Sequence, residues 1–308
     1  MSSKLWIRVL SGPVTEGPTN LDDWLAHHRA VTAGLELPFD RAVVAGATAS
    51  RVAFAFASGY RSALEVLVGD FVKDHAVSLA VTEAGGGHPR AIESVLEPRP
   101  EGGFLLTGKK RWTTMVPGGP GLVLAVASQG AGEEGRKRLV VARVPVARAG
   151  VTVTPMAKTP FVPEIPHAEL SFDKVIVAAS EVLEGDGYER YVKPFRTIED
   201  IHVHGAVLGY LIGLARRNDW PARALESLAG ALAGLRALAT EEPLDPGVHV
   251  ALAGVMRSGL GAITDCEPHW EKVDAASREA WLRDRVLLQV AEGVRQKRLA
   301  SAHERLRG

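Results

Sequence analysis

The sequence predicts an α+β protein in which helical segments flank a central β region, and three observations predict it. Residues 1–75 are rich in alanine and other small apolar side chains that suit close helix packing. From 76 to 180 the texture changes to short alternating or β-branched runs broken by Gly, Pro and charged turns. From 181 to 308 the apolar period becomes helical again, with start and stop signals at sensible intervals. With 308 residues the chain can bury a sizeable core, as one large domain or a few small ones.

The first clear helix start is Thr19-Asn20, a capping pair ahead of Leu21-Asp22-Asp23-Trp24-Leu25, with acidic residues in the first turn where the helix dipole favours them. Residues 41–59 and 60–72 continue in small and apolar types. Strand-like runs follow at 78–81, 104–106, 122–126, 139–146, 151–153 and 168–172, a spacing that predicts an antiparallel sheet or small barrel. The stretch 129–137, rich in Gly, Glu and Arg, reads as a solvated hairpin loop. Long helices are predicted at 191–216, 220–240, 246–265 and 275–306, and together they make a four-helix bundle. Asp219 before Trp220-Pro221, and Asp245 before Pro246, each set an acidic cap ahead of a proline near the first helical position.

Lys+Arg and Asp+Glu both number 36, so no global field draws nucleic acid or an acidic membrane surface. A single cysteine, Cys266, excludes an internal disulfide framework and fits a reducing compartment, with the cytoplasm as the expectation. The N-terminus has no sustained apolar run, and the most apolar stretch, 206–215, is too short to span a bilayer. Neither a signal peptide nor a membrane span is expected.

Two segments carry chemistry. Val81-Thr82-Glu83-Ala84-Gly85-Gly86-Gly87 is a Thr-Glu turn running into glycines, which let the main chain approach a ligand closely and offer it bare amides. Thr107-Gly108-Lys109-Lys110-Arg111-Trp112-Thr113-Thr114 adds a flat indole and two hydroxyls. Residue types alone also allow Trp112 to be a core aromatic and the glycines a strained turn. In their order and separation the two segments resemble motifs of the acyl-CoA dehydrogenase family of flavoproteins, and the resemblance extends from residue 76 to the C-terminus. The family's Thr-Glu-Pro-Gly-x-Gly-Ser corresponds to residues 82–88, with His88 for the serine, and its Gly-Lys-Lys-x-Trp-Ile-Thr to 108–114. The resemblance implies FAD. Thr82, Gly87, His88 and adjacent backbone would hold the pyrimidine side of the isoalloxazine. Trp112 would pack on the ring with Thr113 beside it, and Thr114 would donate to N5, where donors stabilise the charge a reduced flavin gathers.

Farther on, Arg283-Asp284 followed by Val290-Ala291-Glu292-Gly293-Val294 resembles the family's closing Arg-Asp and Ile-Tyr-Glu-Gly-Thr. By that resemblance Glu292 removes the α-proton of an acyl-CoA while the β-hydride leaves to N5, and Gly293 lies at the cofactor. A base of this kind needs an apolar slot, because desolvation strengthens a carboxylate as a base, and Leu288 and Val290 are its apolar neighbours. The pattern equally suits a solvated helix glutamate paired with Arg295 or Gln296 one turn on. Arg217-Asn218-Asp219-Trp220 partly matches an Arg-x-x-Phe whose arginine reaches the FAD pyrophosphate of a neighbouring subunit, although a surface arginine beside a buried tryptophan fits as well.

The departures are also informative. Ala291 and Val294 replace the tyrosine and threonine around the base, and the N-terminal helical region is shorter than the family's. His269-Trp270-Glu271-Lys272 stands where a Gln-x-x-Gly-Gly-x-Gly is expected. The CoA-gripping Asp-x-x-Arg finds only Lys193-Pro194-Phe195-Arg196, which leaves Arg196 as the candidate substrate contact. The expected molecule is acyl-CoA dehydrogenase-like, with a shortened N-terminal helical domain (1–75), a middle β-barrel or sheet domain (76–180) and a C-terminal four-helix bundle (181–308), the flavin lying between sheet and bundle. Its expected reaction is FAD-dependent α,β-dehydrogenation of an acyl-CoA or other acyl thioester. An electron-transfer flavoprotein-like acceptor would take the electrons, and the chain would form a homodimer or a heteromer with a related subunit. A flavin-dependent oxygenase or oxidase on the same fold, and a non-catalytic partner subunit that has lost FAD or CoA binding, stay open as alternatives. Glu164-x-x-His167 and Glu199-x-x-His202 repeat a spacing used by di-iron bundles, but Pro163 and Pro166 keep the first off a helical face. His202 and His204 are expected near the start of a helix, at or beside the ligand pocket. Nothing beside Cys266 marks it as a nucleophile.

Overall fold

A computed structural model describes residues 4–72, 75–116, 121–132 and 136–308. The tip of the expected 129–137 loop, residues 133–135, and the first three residues of the N-terminus lie outside the described residues. The chain divides into two compact units, Met1–Val66 with Thr159–Glu164 and Arg196–Gly308, and Leu67–Lys158 with Ile165–Phe195. Helices from both ends of the sequence thus share one unit.

The second unit holds β1 (Val77–Ala80), β2 (Val95–Pro98), β3 (Phe104–Thr114), β4 (Leu122–Ala131), β5 (Lys137–Pro145), β6 (Val151–Pro155) and β7 (His167–Val177). They form a seven-stranded sheet in the order β1-β4-β2-β3-β7-β6, with β5 on β4. The β3–β7, β4–β5 and β6–β7 ladders are antiparallel, as the spacing predicts. The β1–β4 pair is parallel, which corrects the expectation of a wholly antiparallel sheet. Parallel neighbours need a long crossover, and the segment between β1 and β4 supplies it while carrying both glycine-containing motifs. Alternate residues such as Val123 and Ala125 on β4 and Ala168, Leu170 and Phe172 on β7 meet in the core. β2 escapes the sequence because it is short, ends in proline and buries only Leu96 fully.

The helical unit contains α1 (Lys4–Trp6), α2 (Leu21–Thr32), α3 (Pro38–Ala47), α4 (Val52–Val68), α5 (Lys193–Arg217), α6 (Ala222–Leu238), α7 (Pro246–Asp265), α8 (Ala275–Asp284) and α9 (Glu292–Arg307), α4 leaving it after Val66 and α5 entering it at Arg196. Asn20 caps α2 as expected, its Oδ1 accepting from the Asp23 amide at 2.9 Å. Gly205, Gly209 and Gly213 recur once per turn along α5, and a Cβ on them would come within 2.5 Å of the Phe39 ring, 2.3 Å of the Val43 carbonyl and 1.9 Å of the Ala47 carbonyl. Only glycine lets α3 lie this close to α5. Asp40 then ties α3 to α6 through Arg236 at 2.8 and 3.0 Å, and Arg41 ties it to α4 through Glu65.

Two helix boundaries need correction. Asp245 caps α7, accepting from Gly247 N at 2.6 Å and Val248 N at 3.3 Å. Asp219 caps nothing: α6 starts after Pro221 without a side-chain cap, and Asp219, at φ 47°, lies in the turn that follows α5. The expected continuous helix 275–306 is broken by a 3₁₀ turn at Arg285–Gln289, so that Glu292 opens α9 instead of lying within a long helix. No glycine or proline marks the break. Fully buried Asp284 accepts from the Val162 amide at 2.7 Å and from Arg283 at 2.7 Å, and this tertiary clip fixes where α8 stops. In the segment ahead of α8, Trp270 stacks on Trp281 at 5.2 Å and Trp220 meets Trp270 edge-on at 5.6 Å. Packed aromatics thus occupy the place of the expected glycine-rich turn. No helix among the described residues is long and apolar enough to cross a membrane.

Candidate functional site

The two motifs meet. The Arg111 amide donates to the Thr82 carbonyl at 2.9 Å, and Lys110 Nζ donates to the Val81 carbonyl at 3.2 Å and to Glu83 Oε1 at 2.5 Å. The Glu83 carboxylate also accepts from the amides of Glu93 at 2.7 Å and Ser94 at 3.1 Å. Burial alone would raise the Glu83 pKa, but the ammonium and these donors outweigh it and hold the carboxyl below its usual range. For Lys110 burial pushes downward against the same pairing. The turn is closed by mutual bonds between Glu83 and Gly86, at 3.1 and 3.0 Å, so those two amides are not bare. Gly86 takes φ 104° with open space where a Cβ would stand, while a Cβ on Gly87 would press on Thr82 Oγ1 at 3.2 Å. Exposed His88 caps the short turn Pro89–Ala91, its Nδ1 accepting from the Arg90 amide at 3.2 Å, which accounts locally for the residue in the serine position.

β3 is irregular between Lys110 and Thr113, and the irregularity presents Trp112. In a regular strand positions three apart face opposite ways. Here Lys110 and Thr113 both point inward, and Trp112, at φ 61°, stands 49% exposed. It is therefore not a core aromatic. The Arg111 guanidinium lies 5.4 Å over its ring and His167 meets it edge-on at 6.3 Å. Thr114, partly exposed, pairs with His167 across the β3–β7 ladder. Thr113 is 1% exposed and its Oγ1 has no partner among the described residues, so its hydroxyl lies inside the sheet unit and not on the Trp112 face. Burial lowers the pKa of His167, with the Ile165 backbone opposing. Sequence reasoning missed His167 at this face because only the strand register brings it there.

In the helical unit Glu292 is 52% exposed at the side chain; Gln296 Nε2 donates to it at 2.5 Å and Arg295 lies 3.7 Å away. These are the one-turn partners of the solvated alternative. A cleft of about 190 Å³ lies between α7 and α9, but it is no purely apolar slot: Leu252, Met256, Leu260, Leu288 and Leu299 share its border with Glu292, His249, Arg257, Arg295, Gln296 and Arg298. Val290, 60% exposed, is no part of it. Gly293 is exposed, with nothing within 4 Å of a would-be Cβ. Arg217 donates to the carbonyls of Ala47 at 3.2 Å and Ala49 at 3.5 Å, within its own chain. Partly buried Arg196 sits near the start of α5, where its charge and that of Arg295 oppose the burial and the Asp200 charge that push the Glu199 pKa up to about 8. Asp200, which no motif singled out, bridges Arg295 at 2.9 Å and Arg298, fixing α9 to α5.

Glu164 is held by Arg283 at 2.8 and 3.1 Å while His167 lies on β7, and His202 Nδ1 donates to the Ile198 carbonyl at 2.8 Å. Among the described residues no group of three or more His, Cys, Asp or Glu side chains is placed to hold a metal. Burial, with Asp265 adding to it, pushes the Cys266 thiol up to about 11, which keeps it from acting as a thiolate.

A half-exposed indole, a neighbouring hydroxyl and a glycine turn held beside them by a buried ion pair suit a flat heteroaromatic ligand. No family model matches the sequence, and no curated protein matches it. Solved structures do match. FMN-bound TdsC from Paenibacillus sp. A11-2 superposes with a TM-score of 0.69 at 14% identity, covering 96% of this chain and 93% of that one. PigA with FAD and proline gives 0.64 at 13% identity, over 98% and 89%. Butyryl-CoA dehydrogenase from Megasphaera elsdenii gives 0.62 at 14% identity, over 96% and 91%. With its helical, β and helical segments in this order and these likenesses along nearly its whole length, the chain has the acyl-CoA dehydrogenase fold, in a form divergent in sequence.

Proposed function

We propose that the chain is a flavin-dependent oxidoreductase that binds the isoalloxazine on the Trp112 face of its sheet and α,β-dehydrogenates an acyl thioester. The observation that supports this is the lock between the motifs, Arg111 to Thr82 and Lys110 to Glu83, which presents Trp112 and Thr114 beside the 82–87 turn. Bound flavin supplies the hydride acceptor. Trp112 walls the ring, the Thr82 and Thr114 hydroxyls orient it by hydrogen bonds, and Glu292 takes the α-proton on a carboxylate bordering the cleft between α7 and α9. FAD is the proposed flavin, in line with PigA, while the FMN of TdsC makes the shorter cofactor the competitor. The use of Arg217 on its own chain's carbonyls favours that competitor, because it leaves the arginine less able to reach a pyrophosphate. Acyl-CoA as substrate, an electron-transfer flavoprotein-like acceptor, a dimer with itself or a related subunit, and a cytoplasmic location complete the proposal.

One observation favours a second reading. Glu292 is half open to solvent and bound by Gln296, a poor setting for a strong base, and an oxygenase or oxidase on this fold would not need it. Visible spectra of the purified protein with added FAD or FMN test the shared part: flavin bands that persist after desalting, and are lost in Trp112→Ala, are expected. Protein that stays colourless with both flavins overturns both enzyme readings and leaves the non-catalytic subunit. Anaerobic bleaching by acyl-CoA that disappears in Glu292→Gln supports the dehydrogenase, whereas bleaching that survives the substitution removes Glu292 from the chemistry. Oxygen consumption coupled to an oxygenated product establishes the second reading.

A further inference from the structure

α5 carries a histidine that neither the flavin face nor Glu292 uses. His204 is 7% exposed, and its Nδ1 donates to the Asp200 carbonyl at 2.8 Å. This bond fixes the tautomer, so that Nε2 carries a lone pair and no proton. Burial lowers the pKa of the ring and keeps it neutral, with the Asp200 charge and the Asp200 and Leu288 backbones among the opposing influences. Nε2 has no hydrogen-bond partner among the described residues. The nearby Leu288 carbonyl accepts from Arg295 Nη1 at 2.7 Å and, being an acceptor itself, has no proton to give Nε2 in this tautomer.

The ring borders a small chamber whose other walls are apolar, among them Val207, Leu208, Leu235, Val255, Met256 and Ile263. A buried acceptor with no donor destabilises the fold that keeps it and calls for an explanation. A single water in the chamber would find two partners at most, Nε2 and the Leu288 carbonyl, the low end of the two to four that an ordered internal water makes. The chamber itself holds only about 10 Å³, but Met256, Leu260 and Leu288 border both it and the cleft of about 190 Å³ outside. A space of roughly 150 Å³ is enough to take up a benzene-sized ring, and the cleft adds polar side chains, Arg257 and Arg295 among them, around its apolar ones. Met256, unbranched and adaptable, is the side chain that can open one space to the other.

We propose that chamber and cleft form one binding site for a small apolar molecule carrying a single hydroxyl donor, of the size of phenol, whose O–H donates to His204 Nε2. The proposal needs neither a flavin nor a catalytic Glu292, so it stands or falls separately from the proposed reaction. Calorimetric titration of the full chain with phenol and with toluene tests it. Saturable one-to-one binding of phenol, about tenfold tighter than toluene, is expected, as one net hydrogen bond implies. In His204→Leu the two ligands should bind alike. Absence of phenol binding overturns the proposal, and so does equal binding of the two ligands by the unsubstituted protein or a phenol preference that persists in His204→Leu. Should that variant not fold, the ¹⁵N resonance of His204 Nε2 in the unsubstituted protein decides: it should shift on adding phenol and not on adding toluene, and an unmoved resonance overturns the proposal.

Discussion

The Trp112 face of the sheet unit and the Glu292 cleft of the helical unit are built in opposite ways. In the sheet, backbone and a buried ion pair do the positioning: Lys110 and Glu83 are nearly inaccessible, and every bond they make fixes the geometry of the turn or of β3. In the helical unit the residue of interest stands at a helix start, half in solvent, held by side chains on its own helix. A site of the first kind is over-determined and fails as a whole. A site of the second kind can lose its key residue with little harm to the fold.

The largest expected effect breaks the first kind. Lys110→Met strands the Glu83 carboxylate, so denaturant unfolding should show a loss of about 3–5 kcal/mol. Adding Glu83→Gln should restore much of it. Recovery of nothing in the double variant would mean that the ion pair is not what holds the turn.

Asp284→Ala is the matching break in the helical unit. It removes the acceptor of the Val162 amide and should cost about 2 kcal/mol by the same measurement. Hydrogen exchange should open the 159–164 loop, and an unchanged loop would show that Asp284 does not set the end of α8.

Acid separates the helical unit by another route. Burial, with Arg61 next in weight, lowers the His28 pKa to about 3. The unfolded chain therefore binds this proton first, near pH 6.5. The contribution of neutral His28 is complete above that pH and is lost as the pH falls toward 3. Relative to His28→Gln, the unsubstituted protein should lose about 2 kcal/mol between pH 7 and pH 5. Parallel pH profiles for the two proteins would refute this origin.

The smallest effect is that of Glu292→Gln, expected to change stability by less than about 0.5 kcal/mol while removing bleaching by acyl-CoA. A large loss of stability would place Glu292 among the supports of α9.

What the sequence made legible follows the same divide. The order of helices and strands, the caps at Asn20 and Asp245, and the meeting of the 82–87 and 108–114 segments all rest on local signals, such as capping side chains, alternation and motif spacing. Long-range partnerships hid the rest. The end of α8 depends on Asp284 finding an amide in a loop far away in sequence, and His167 reaches Trp112 only through the β3–β7 register. The inward turn of Thr113, which places a motif hydroxyl inside the sheet unit, comes from the two-residue irregularity ahead of it, and no periodicity announces that. The glycine row on α5 was visible as letters, but only the approach of α3 explains it.

Trp112 has one more consequence. A tryptophan at φ 61° sits where glycine would be at ease, and such a conformation costs about 1–3 kcal/mol. Arg111 and His167 offset part of that cost, yet the bare fold would still be better served by the smallest residue. Trp112→Gly should therefore raise the melting temperature of the protein while abolishing its grip on a flat ring. A stabilising substitution that removes function would identify the indole as a tension kept for the ligand's benefit, and a selection for heat resistance alone would be expected to discard it first.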